Sequence, residues 1–525
     1  MDADATQARR LVFAGVLVYL VASLVVLWAG RYRMNPDIVS YIRIARHYAN
    51  GDFSLAVNSW WSPFFSWLLV PGIFLGVEPL LWAKLLQIPA GLGLAGAVTR
   101  LARQIFGGRG TLVACWLGLA ASVLMATGTL SPDLWHAGAL SWYLVFAHRM
   151  LVQRGTALAF GVGAFGGATY LVKAFSLPFV VAHLVLGLVL RLCLKNGFRG
   201  WRRVTGEFAF AMLGVALVAG PWMAIIGRND GEWLINSAGK YWTQSQPLDP
   251  LELPPVLKPH PVRVGRISSM ENPRELPLEW VAAPPFGPGT QWRSFLKMVR
   301  SNVNSITLGL GRMDGVGMVF VVLFLAVTAL FPLRETFQSV ERLGVLWSLA
   351  SVAIYAGGYS LVFFTERYLW PLWGLIAVLS ARVASGAIEP GAAGSRSRLL
   401  ARIVPAATLA AMCLTCITRV LMQGVGKETM LANDIHRTAQ QLSPNRTFVS
   451  DDYLTGISFA YWSGGSFAGI VTRFEPGELS RRLGMQKLLT FVRFKESRPP
   501  VAGGGTPVPV DVDSKLFDVY DAMAH

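Results

Sequence analysis

The sequence predicts a mainly α-helical, polytopic membrane protein of about eleven transmembrane helices, with a small α/β unit at its C-terminal end. Three observations support this fold class. Hydrophobic residues make up 53% of the 525 residues and charged residues only 15%, which is too apolar for an average soluble protein. Apolar runs of spanning length recur along the chain, and the basic residues between them alternate regularly.

The first apolar run, residues 11–29, contains no charged residue and is long enough to cross a hydrocarbon core of about 30 Å. We interpret it as a membrane anchor, because it exceeds the apolar part of a cleaved signal and has no small-residue cleavage site beside it. The predicted spans are 11–29, 79–99, 111–129, 133–148, 155–171, 176–193, 205–226, 314–332, 343–363, 368–385 and 401–420.

The net charge of +17 does not require a nucleic-acid partner, because multispan proteins collect Lys and Arg on their cytoplasmic loops. With the N-terminus in the cytoplasm, the basic clusters near residues 9, 100, 149, 199, 334 and 396 all fall on that side. The four cysteines lie in or beside apolar runs, so we infer neither a disulfide framework nor a metal site from them.

On this topology residues 1–420 form the transmembrane domain and residues 421–525 form an extracytoplasmic C-terminal domain. The outward loops of the first domain span 30–78 and 227–313. Proline-rich segments at 245–264 and 282–290 predict that the second loop is an irregular lid or partner-binding loop. The C-terminal region combines strand-like and helix-like patterns with turn signals, which predicts a small α/β unit.

The first outward loop contains a short amphipathic helix. Asn35 suits its N-cap and Pro36 its first helical position. One side is apolar, and the other carries Ser40, Arg43, Arg46 and His47. We therefore expect this helix to lie on the membrane surface. The aromatic stretch 60–76, interrupted by Pro63 and Pro71, is expected to be interfacial or re-entrant.

Polar residues at the outward ends of the spans are the candidates for chemistry. Asp37 lies at the start of the short helix, and Asp133 lies at the start of the fourth span. Lys173 lies between two spans. Glu366 and Arg367 are adjacent at the outward end of a further span. Each has an ordinary explanation: acids suit helix starts, lysines snorkel, and adjacent opposite charges pair. Together they suit a reaction in which a base deprotonates an acceptor while cations stabilise a departing phosphate.

The order of several short motifs resembles that of a known family. The motifs are GDF, WSPFFSWLL, SPD, YLVKAFSLP, GPW and ERYLWP, each on a consistent side of the predicted membrane. In this order they resemble the GT-C superfamily of integral-membrane glycosyltransferases, and most of all the bacterial branch of lipid A aminoarabinose transferases and protein O-mannosyltransferases. The likeness covers roughly residues 10–385.

The resemblance implies an inverting transferase that moves a hexose or pentose from a polyprenyl-phosphate donor to a lipid, glycan or protein acceptor. It implies a multi-pass protein of the bacterial cytoplasmic membrane, in contact with membrane lipids and not nucleic acid, with its site and C-terminal domain in the periplasm. It makes Asp37 the base or orienting group for the acceptor nucleophile, and Asp133 a second acid that organises the acceptor or a metal ion. It assigns the donor phosphate to Lys173, Arg367 and Tyr368, then to Arg43, Arg46 and His47. It assigns the lipid carrier to Trp60, Trp61 and Phe64.

The chain departs from the family at one position. Many relatives carry adjacent acids there, whereas this sequence has the single carboxylate of Asp37 between Pro36 and Ile38. A lone carboxylate binds a divalent cation poorly unless Asp133 or substrate oxygens contribute. We therefore predict no certain cofactor and leave a divalent metal ion at Asp37 and Asp133 as an open possibility.

Two other classes of function are consistent with parts of the sequence. A transporter or flippase of lipid-linked saccharides would carry charged residues near the bilayer midplane and often two repeated halves. Here the candidate charges cluster at the outward surface, and no internal repeat is evident in the sequence. A non-catalytic assembly protein would tolerate the loss of Asp37.

Overall fold

The computed structural model describes residues 2–57, 59–107, 110–194, 200–230, 235–236, 292–312, 340–362, 364–386 and 426–444, together with isolated positions between 414 and 422. It also describes residues 446–450, 452–470, 489–494, 508–514 and 516–522 in the C-terminal region.

Helices form almost all of the described residues before position 390. In order they are α1 (Asp2–Ala29), α2 (Pro36–Ala49), α3 (Phe53–Ala56), α4 (Pro63–Phe74), α5 (Pro79–Leu85), α6 (Gln87–Phe106), α7 (Thr111–Gly128), α8 (Asp133–Val152), α9 (Thr156–Val172), α10 (Ser176–Leu194), α11 (Trp201–Asp230), α12 (Trp292–Arg312), α13 (Val340–Ser360) and α14 (Trp370–Gly386). A single turn of 3₁₀ helix, Glu366–Leu369, lies between α13 and α14.

The predicted spans coincide with described helices except at 314–332 and 401–420, which lie almost entirely outside the described residues. Among the residues that the structure describes, five segments are long and apolar enough to cross a membrane: Thr6–Ala29, Pro79–Phe106, Thr111–Gly128, Trp201–Arg228 and Leu343–Ser360. The chain is therefore a mainly helical membrane protein, and the total of about eleven spans stays a prediction. One predicted span, 79–99, consists of the two consecutive helices α5 and α6.

Glycines allow α9 and α11 to pack with their backbones in contact. A Cβ atom added at Gly163 would collide with the backbone of Ala211, and one added at Gly214 would collide with the backbone of α9. Small residues at such crossings are typical of helix pairs in membranes. This close packing holds α9, whose last residue precedes Lys173, against α11.

The short helix in the first outward loop forms where the sequence predicts it. Asn35 has an extended backbone at the N-cap, and Pro36 occupies the first turn of α2. The expectation that the apolar face of α2 contacts the membrane is wrong. Its residues Ile38 and Ile42 are buried in one core with α4 and the C-terminal unit, because protein side chains cover its apolar face. Ser40, assigned to the polar side, is also fully buried.

The aromatic stretch after α2 is more regular than expected. It forms the single helix α4, which begins at Pro63 and continues through Pro71. An interruption at Pro71 is therefore a wrong expectation. Pro71 lies in the last turn and a half of α4, so its missing N–H removes only one hydrogen bond near the end of the helix.

The second outward loop is described only at its edges. Its proline-rich segments, 245–264 and 282–290, lie outside the described residues. The loop is not irregular throughout, because α12 occupies residues 292–312 at its C-terminal end. This helix was not predicted from the sequence.

The C-terminal residues form an α/β unit of α15 (Lys427–Ala439), β1 (Thr447–Ser450), α16 (Tyr453–Ser463), β2 (Ser466–Ile470), β3 (Leu489–Phe494), β4 (Val508–Pro509) and β5 (Phe517–Ala522). The sheet order is β2-β1-β3-β5-β4. Strand β1 is parallel to β2 and β3, whereas β5 is antiparallel to β3 and β4. That this unit is a separate domain outside the membrane stays a prediction.

Polar contacts attach the C-terminal unit to the first outward loop. Glu78 caps α5 by accepting hydrogen bonds from the backbone nitrogens of Leu80 and Leu81, at 3.1 and 2.7 Å. Its Oε1 also accepts a hydrogen bond of 2.6 Å from the hydroxyl of Tyr461. Arg33 and Glu428 form an ion pair nearby. The unit therefore packs against the loop that carries Asp37.

Candidate active site

A cavity of about 400 Å³ lies where the ends of α2, α8 and α9 meet the Glu366–Leu369 turn. Charged residues line one part of it and aromatic rings another. Its lining includes Asp37, Tyr41, Trp60, Trp61, Ser131, Asp133, Lys173, Phe175, Asn236, Tyr359, Arg367 and Tyr368. Volumes of this size are typical of small-molecule sites.

Four separate segments bring the charged residues together. Asp37 lies in the first turn of α2 and Asp133 is the first residue of α8, positions where the helix dipole favours an acid. Lys173 follows the last residue of α9, and Arg367 lies in the turn between α13 and α14. All four segments therefore present their charges at the same end of the helical bundle.

The charges form a continuous network of ion pairs. Arg367 Nη2 lies 2.6 Å from Asp37 Oδ2, and Arg367 Nε lies 3.6 Å from Asp133 Oδ2. Lys173 pairs with the other oxygen of Asp133. Ser131 Oγ donates a hydrogen bond of 2.7 Å to Asp133. The sequence suggests that Arg367 pairs with its neighbour Glu366. In the structure Arg367 pairs with Asp37 instead.

The two acids differ in accessibility. The side chain of Asp133 is only 3% exposed, whereas those of Asp37 and Arg367 are 14% and 25% exposed. Asp133 therefore lies beneath the two cations and holds them in position. Asp37 and Arg367 are more accessible from the cavity, which suits groups that meet a substrate.

Burial and neighbouring charges shift the pKa values of the residues in this network. Burial lowers the pKa of Lys173, and the nearby charge of Asp133 opposes that shift. For Arg367, burial acts to lower the pKa, but Asp37 and Asp133 outweigh it and the net shift is upward. Burial, together with the charges of Asp37 and Asp133, holds the pKa of Tyr41 well above its usual value. Arg367 therefore stays a cation, and Tyr41 stays a neutral hydrogen-bonding group.

Aromatic rings form the wall beside the charges. The Lys173 ammonium lies 3.9 Å from the ring centroid of Tyr368, a cation–π contact. Tyr359 stacks between its neighbours, with ring centroids 5.1 Å from Tyr368 and 3.6 Å from Phe175. Tyr41 and Trp61 meet edge to face at 5.1 Å. This wall offers an apolar surface next to the cations.

The structure brings together some residues that the sequence predicts for the site and leaves others apart. Asp37, Asp133, Lys173, Arg367, Tyr368, Trp60 and Trp61 line the cavity. Phe64 is outside its lining and packs edge to face with Trp135 at 5.5 Å. Arg43, Arg46 and His47 are also outside the lining. Arg46 faces the ring of Tyr461, and His47 lies 3.7 Å from Asp52, because these side chains leave α2 on the side away from Asp37.

Several residues that line the cavity were not predicted from the sequence. The sequence does contain an indication for Ser131, because it stands two residues before Asp133 in the SPD motif. It contains none for Asn236, which belongs to the long second loop. Its side-chain amide donates a hydrogen bond of 3.0 Å to the carbonyl oxygen of Trp60, and the hydroxyl of Tyr170 donates one of 2.7 Å to the carbonyl of Ile235. These bonds hold the start of that loop at the cavity.

The residues present do not fit a divalent cation. Within the described part of the chain, no group of three or more His, Cys, Asp and Glu residues could hold a metal ion. The two acids of the cavity are each engaged by a protein cation. A metal ion at Asp37 and Asp133 would have to displace both Arg367 and Lys173, so we assign no step to one.

No family model matches the sequence, and no curated protein matches it either. Several solved structures do match the chain. An aminoarabinose transferase, ArnT from Cupriavidus metallidurans bound to undecaprenyl phosphate, has a TM-score of 0.55 and 16% identity over 96% of this chain and 97% of that chain. The apo state of ArnT from the same organism has a TM-score of 0.54, with the same identity and coverage.

A more distant likeness is to the archaeal oligosaccharyltransferase AglB from Archaeoglobus fulgidus in complex with an inhibitory peptide and a dolichol-phosphate. Its TM-score is 0.49 and its identity 12%, over 92% of this chain and 69% of that chain. The likeness to ArnT establishes the fold alone. It confirms the helical membrane fold that the resemblance of the sequence motifs implies.

Proposed function

We propose that this protein is an inverting glycosyltransferase that moves a sugar from a polyprenyl-phosphate donor to a lipid, glycan or protein acceptor on the periplasmic side of the bacterial cytoplasmic membrane. One observation carries the proposal. Two acids and two cations from four segments converge in a single cavity beside an aromatic wall, at one end of the helices. The shared fold of a structure bound to undecaprenyl phosphate supports the same class of donor.

In this proposal the accessible acid acts on the acceptor. The carboxylate of Asp37 takes the proton of the acceptor nucleophile as that nucleophile bonds to the anomeric carbon of the sugar. The bond between the anomeric carbon and the phosphate oxygen breaks at the same time, with inversion. A positioned base of this kind contributes a rate factor of about 10² to 10⁴.

The cations act on the leaving group. Polyprenyl phosphate departs as an anion, and Lys173 and Arg367 stabilise the charge that develops on its oxygen. Both cations are held by acids before the donor binds. The donor phosphate competes with these acids, so its arrival frees the carboxylate of Asp37 for the acceptor. Asp133 keeps the two cations in place, and Tyr368, Trp60 and Trp61 contact the phosphate end of the carrier.

The experiment compares cells that lack the protein with cells that carry the wild type, Asp37→Asn or Asp52→Asn at equal expression. Asp52 belongs to the same outward loop but is not among the residues that line the cavity, so it is a control with the same chemical change. Mass spectrometry of lipid-linked sugars and surface glycans gives the readout.

We expect a glycosylated polyprenyl phosphate to accumulate, and one glycan modification to disappear, both in the deletion and in Asp37→Asn. Asp52→Asn should resemble the wild type. Identical profiles in all strains would contradict the proposal. A carrier-linked sugar that is trapped on the cytoplasmic side would favour a transporter instead.

A further inference from the structure

Helix α12 (Trp292–Arg312) has an amphipathic pattern that the proposed reaction does not use. It contains no acidic residue. At about 100° per residue, its apolar side chains fall on one broad stripe, and Arg293, Lys297 and Arg300 fall together along one border of that stripe. The stripe therefore has two edges with different surroundings.

One edge of the stripe packs against the protein. Ile306 is buried in the main hydrophobic core. Asn302, on the same side, donates hydrogen bonds from Nδ2 to the carbonyl oxygens of Ser360 and Val362, at 3.2 and 2.6 Å. These bonds satisfy carbonyl groups at the C-terminal end of α13, which would otherwise lack a partner within the helix. Helix α12 is thereby fixed to one end of a candidate membrane span.

The other edge is largely exposed. Trp292, Leu296 and Val303 are 54%, 61% and 48% exposed, although all three are large and apolar. The basic residues of the adjacent border, Arg293, Lys297 and Arg300, are exposed as well. An exposed apolar edge bordered by cations is the arrangement of helices that lie in a membrane interface.

We propose that residues 292–303 of α12 dock onto the anionic lipid headgroups of the outward leaflet. In this arrangement Trp292, Leu296 and Val303 enter the boundary between headgroups and acyl chains. Arg293, Lys297 and Arg300 contact lipid phosphates. Charge complementarity favours a lipid surface with net negative charge, since the segment carries three cations and no acid. The proposal does not depend on the reaction assigned to the cavity.

The docked helix also supports the turn that carries Arg367. Gly309 of α12 faces this turn so closely that a Cβ atom there would lie 3.1 Å from Leu369 Cδ1 and 3.7 Å from Glu366 Cγ. Leu369 is itself buried, so the turn lies between α12 and the core. Lipid docking of α12 therefore stabilises the segment whose guanidinium bridges Asp37 and Asp133.

The test uses the full chain in nanodiscs, with the native cysteines replaced and a bimane label attached at Leu296→Cys. Trace amounts of 5-doxyl phosphatidylglycerol or 5-doxyl phosphatidylcholine then quench the label from the shallow part of the bilayer. The variants are Arg293→Gln/Lys297→Gln/Arg300→Gln and, as a control with equal loss of charge, Arg100→Gln/Arg103→Gln/Arg202→Gln. The control residues are exposed and lie on other helices.

We expect phosphatidylglycerol to quench the label about fivefold more strongly than phosphatidylcholine in the parent and in the control variant. In the α12 variant this ratio should fall to about one. A ratio near one in the parent would overturn the proposal, and so would stronger quenching by aqueous iodide than by either lipid.

Hydrogen exchange of the unmodified protein provides a second measurement that needs no substitution. Amides of residues 292–312 and 364–369 should exchange at least about fivefold more slowly in nanodiscs that contain phosphatidylglycerol than in pure phosphatidylcholine. Equal exchange in the two lipids would contradict docking even if the labelled variants fail to fold.

Discussion

The guanidinium of Arg367 lies 2.6 Å from Asp37 and 3.6 Å from Asp133, so one side chain joins two acids that belong to different helices. A planar guanidinium presents several donors in a fixed fork, which allows it to contact two carboxylates at once. This bridge couples the outward loop that carries Asp37 to the helical bundle that carries Asp133. Its geometry depends on arginine and not only on positive charge.

Replacing Arg367 by lysine should therefore impair the proposed transfer although the charge is kept. An ammonium group cannot bridge both acids, and hydrogen bonds to charged groups are worth about 1.5–3 kcal/mol each. We expect kcat/KM for sugar transfer to fall by about 10- to 100-fold. Arg46→Lys, on the exposed side of α2, is the control. An equal loss in both variants would instead support the sequence prediction that Arg46 binds the donor phosphate.

Breaking the ion pair between Lys173 and Asp133 should destabilise the protein. Asp133 is almost fully buried, and both Lys173 and Arg367 contact it. Asp133→Ala removes this partner and should lower the free energy of unfolding by about 3–5 kcal/mol. Unfolding in detergent by added sodium dodecyl sulfate measures the change in free energy. Glu428→Gln breaks the pair with Arg33 at a side chain that is 75% exposed, and should cost about 1 kcal/mol or less. Equal effects would show that burial does not determine the strength of these pairs.

Tyr461→Phe should loosen the C-terminal unit from the first outward loop. The substitution removes the 2.6 Å hydrogen bond to Glu78, and a bond to a charged acceptor contributes about 1.5–3 kcal/mol. Amides in 79–85 and 453–463 should exchange faster with solvent hydrogen. Tyr32→Phe keeps the ring that stacks on His436 and should have a smaller effect. Unchanged exchange in Tyr461→Phe would mean that apolar packing alone holds the unit.

The same interface should weaken in mild acid. Burial, followed by the charge of Arg31, lowers the pKa of His436 in the folded protein, although Glu78 acts in the opposite direction. The unfolded chain therefore binds a proton more readily than the folded chain. The contribution of neutral His436 to the free energy of unfolding is fully present above the unfolded pKa of about 6.5. It is lost as the pH falls below that value. Thermal unfolding between pH 7.5 and 5.5 should reveal this loss, and His436→Phe should reduce it.

The sequence allows the helical framework to be predicted, because a run of apolar residues long enough to cross a bilayer has few alternative structures. It also allows the acids and cations of the cavity to be predicted, because topology places them at one end of the bundle. The surroundings of α2 could not be predicted. An apolar helix face has the same pattern whether lipid or protein covers it, and here the C-terminal unit covers Ile38 and Ile42.

The individual roles within the charged set were also beyond the sequence. Arg43 and Arg46 carry the same guanidinium group as Arg367, and only the direction in which each side chain leaves the backbone separates them. Helix α12 was missed because its apolar spacing lies within a loop dominated by prolines. Tertiary contacts, such as those of Asn302 with the end of α13, determine its position.

The most direct test of the proposed function is the rate of sugar transfer by the purified protein carrying Asp37→Asn, with Asp52→Asn as control. The substrate is the polyprenyl-phosphate sugar identified from the deletion strain. We predict that Asp37→Asn lowers kcat by about 10²- to 10⁴-fold, while binding of polyprenyl phosphate and the unfolding transition are preserved. Full activity from a well-folded Asp37→Asn protein would contradict the central role of this carboxylate.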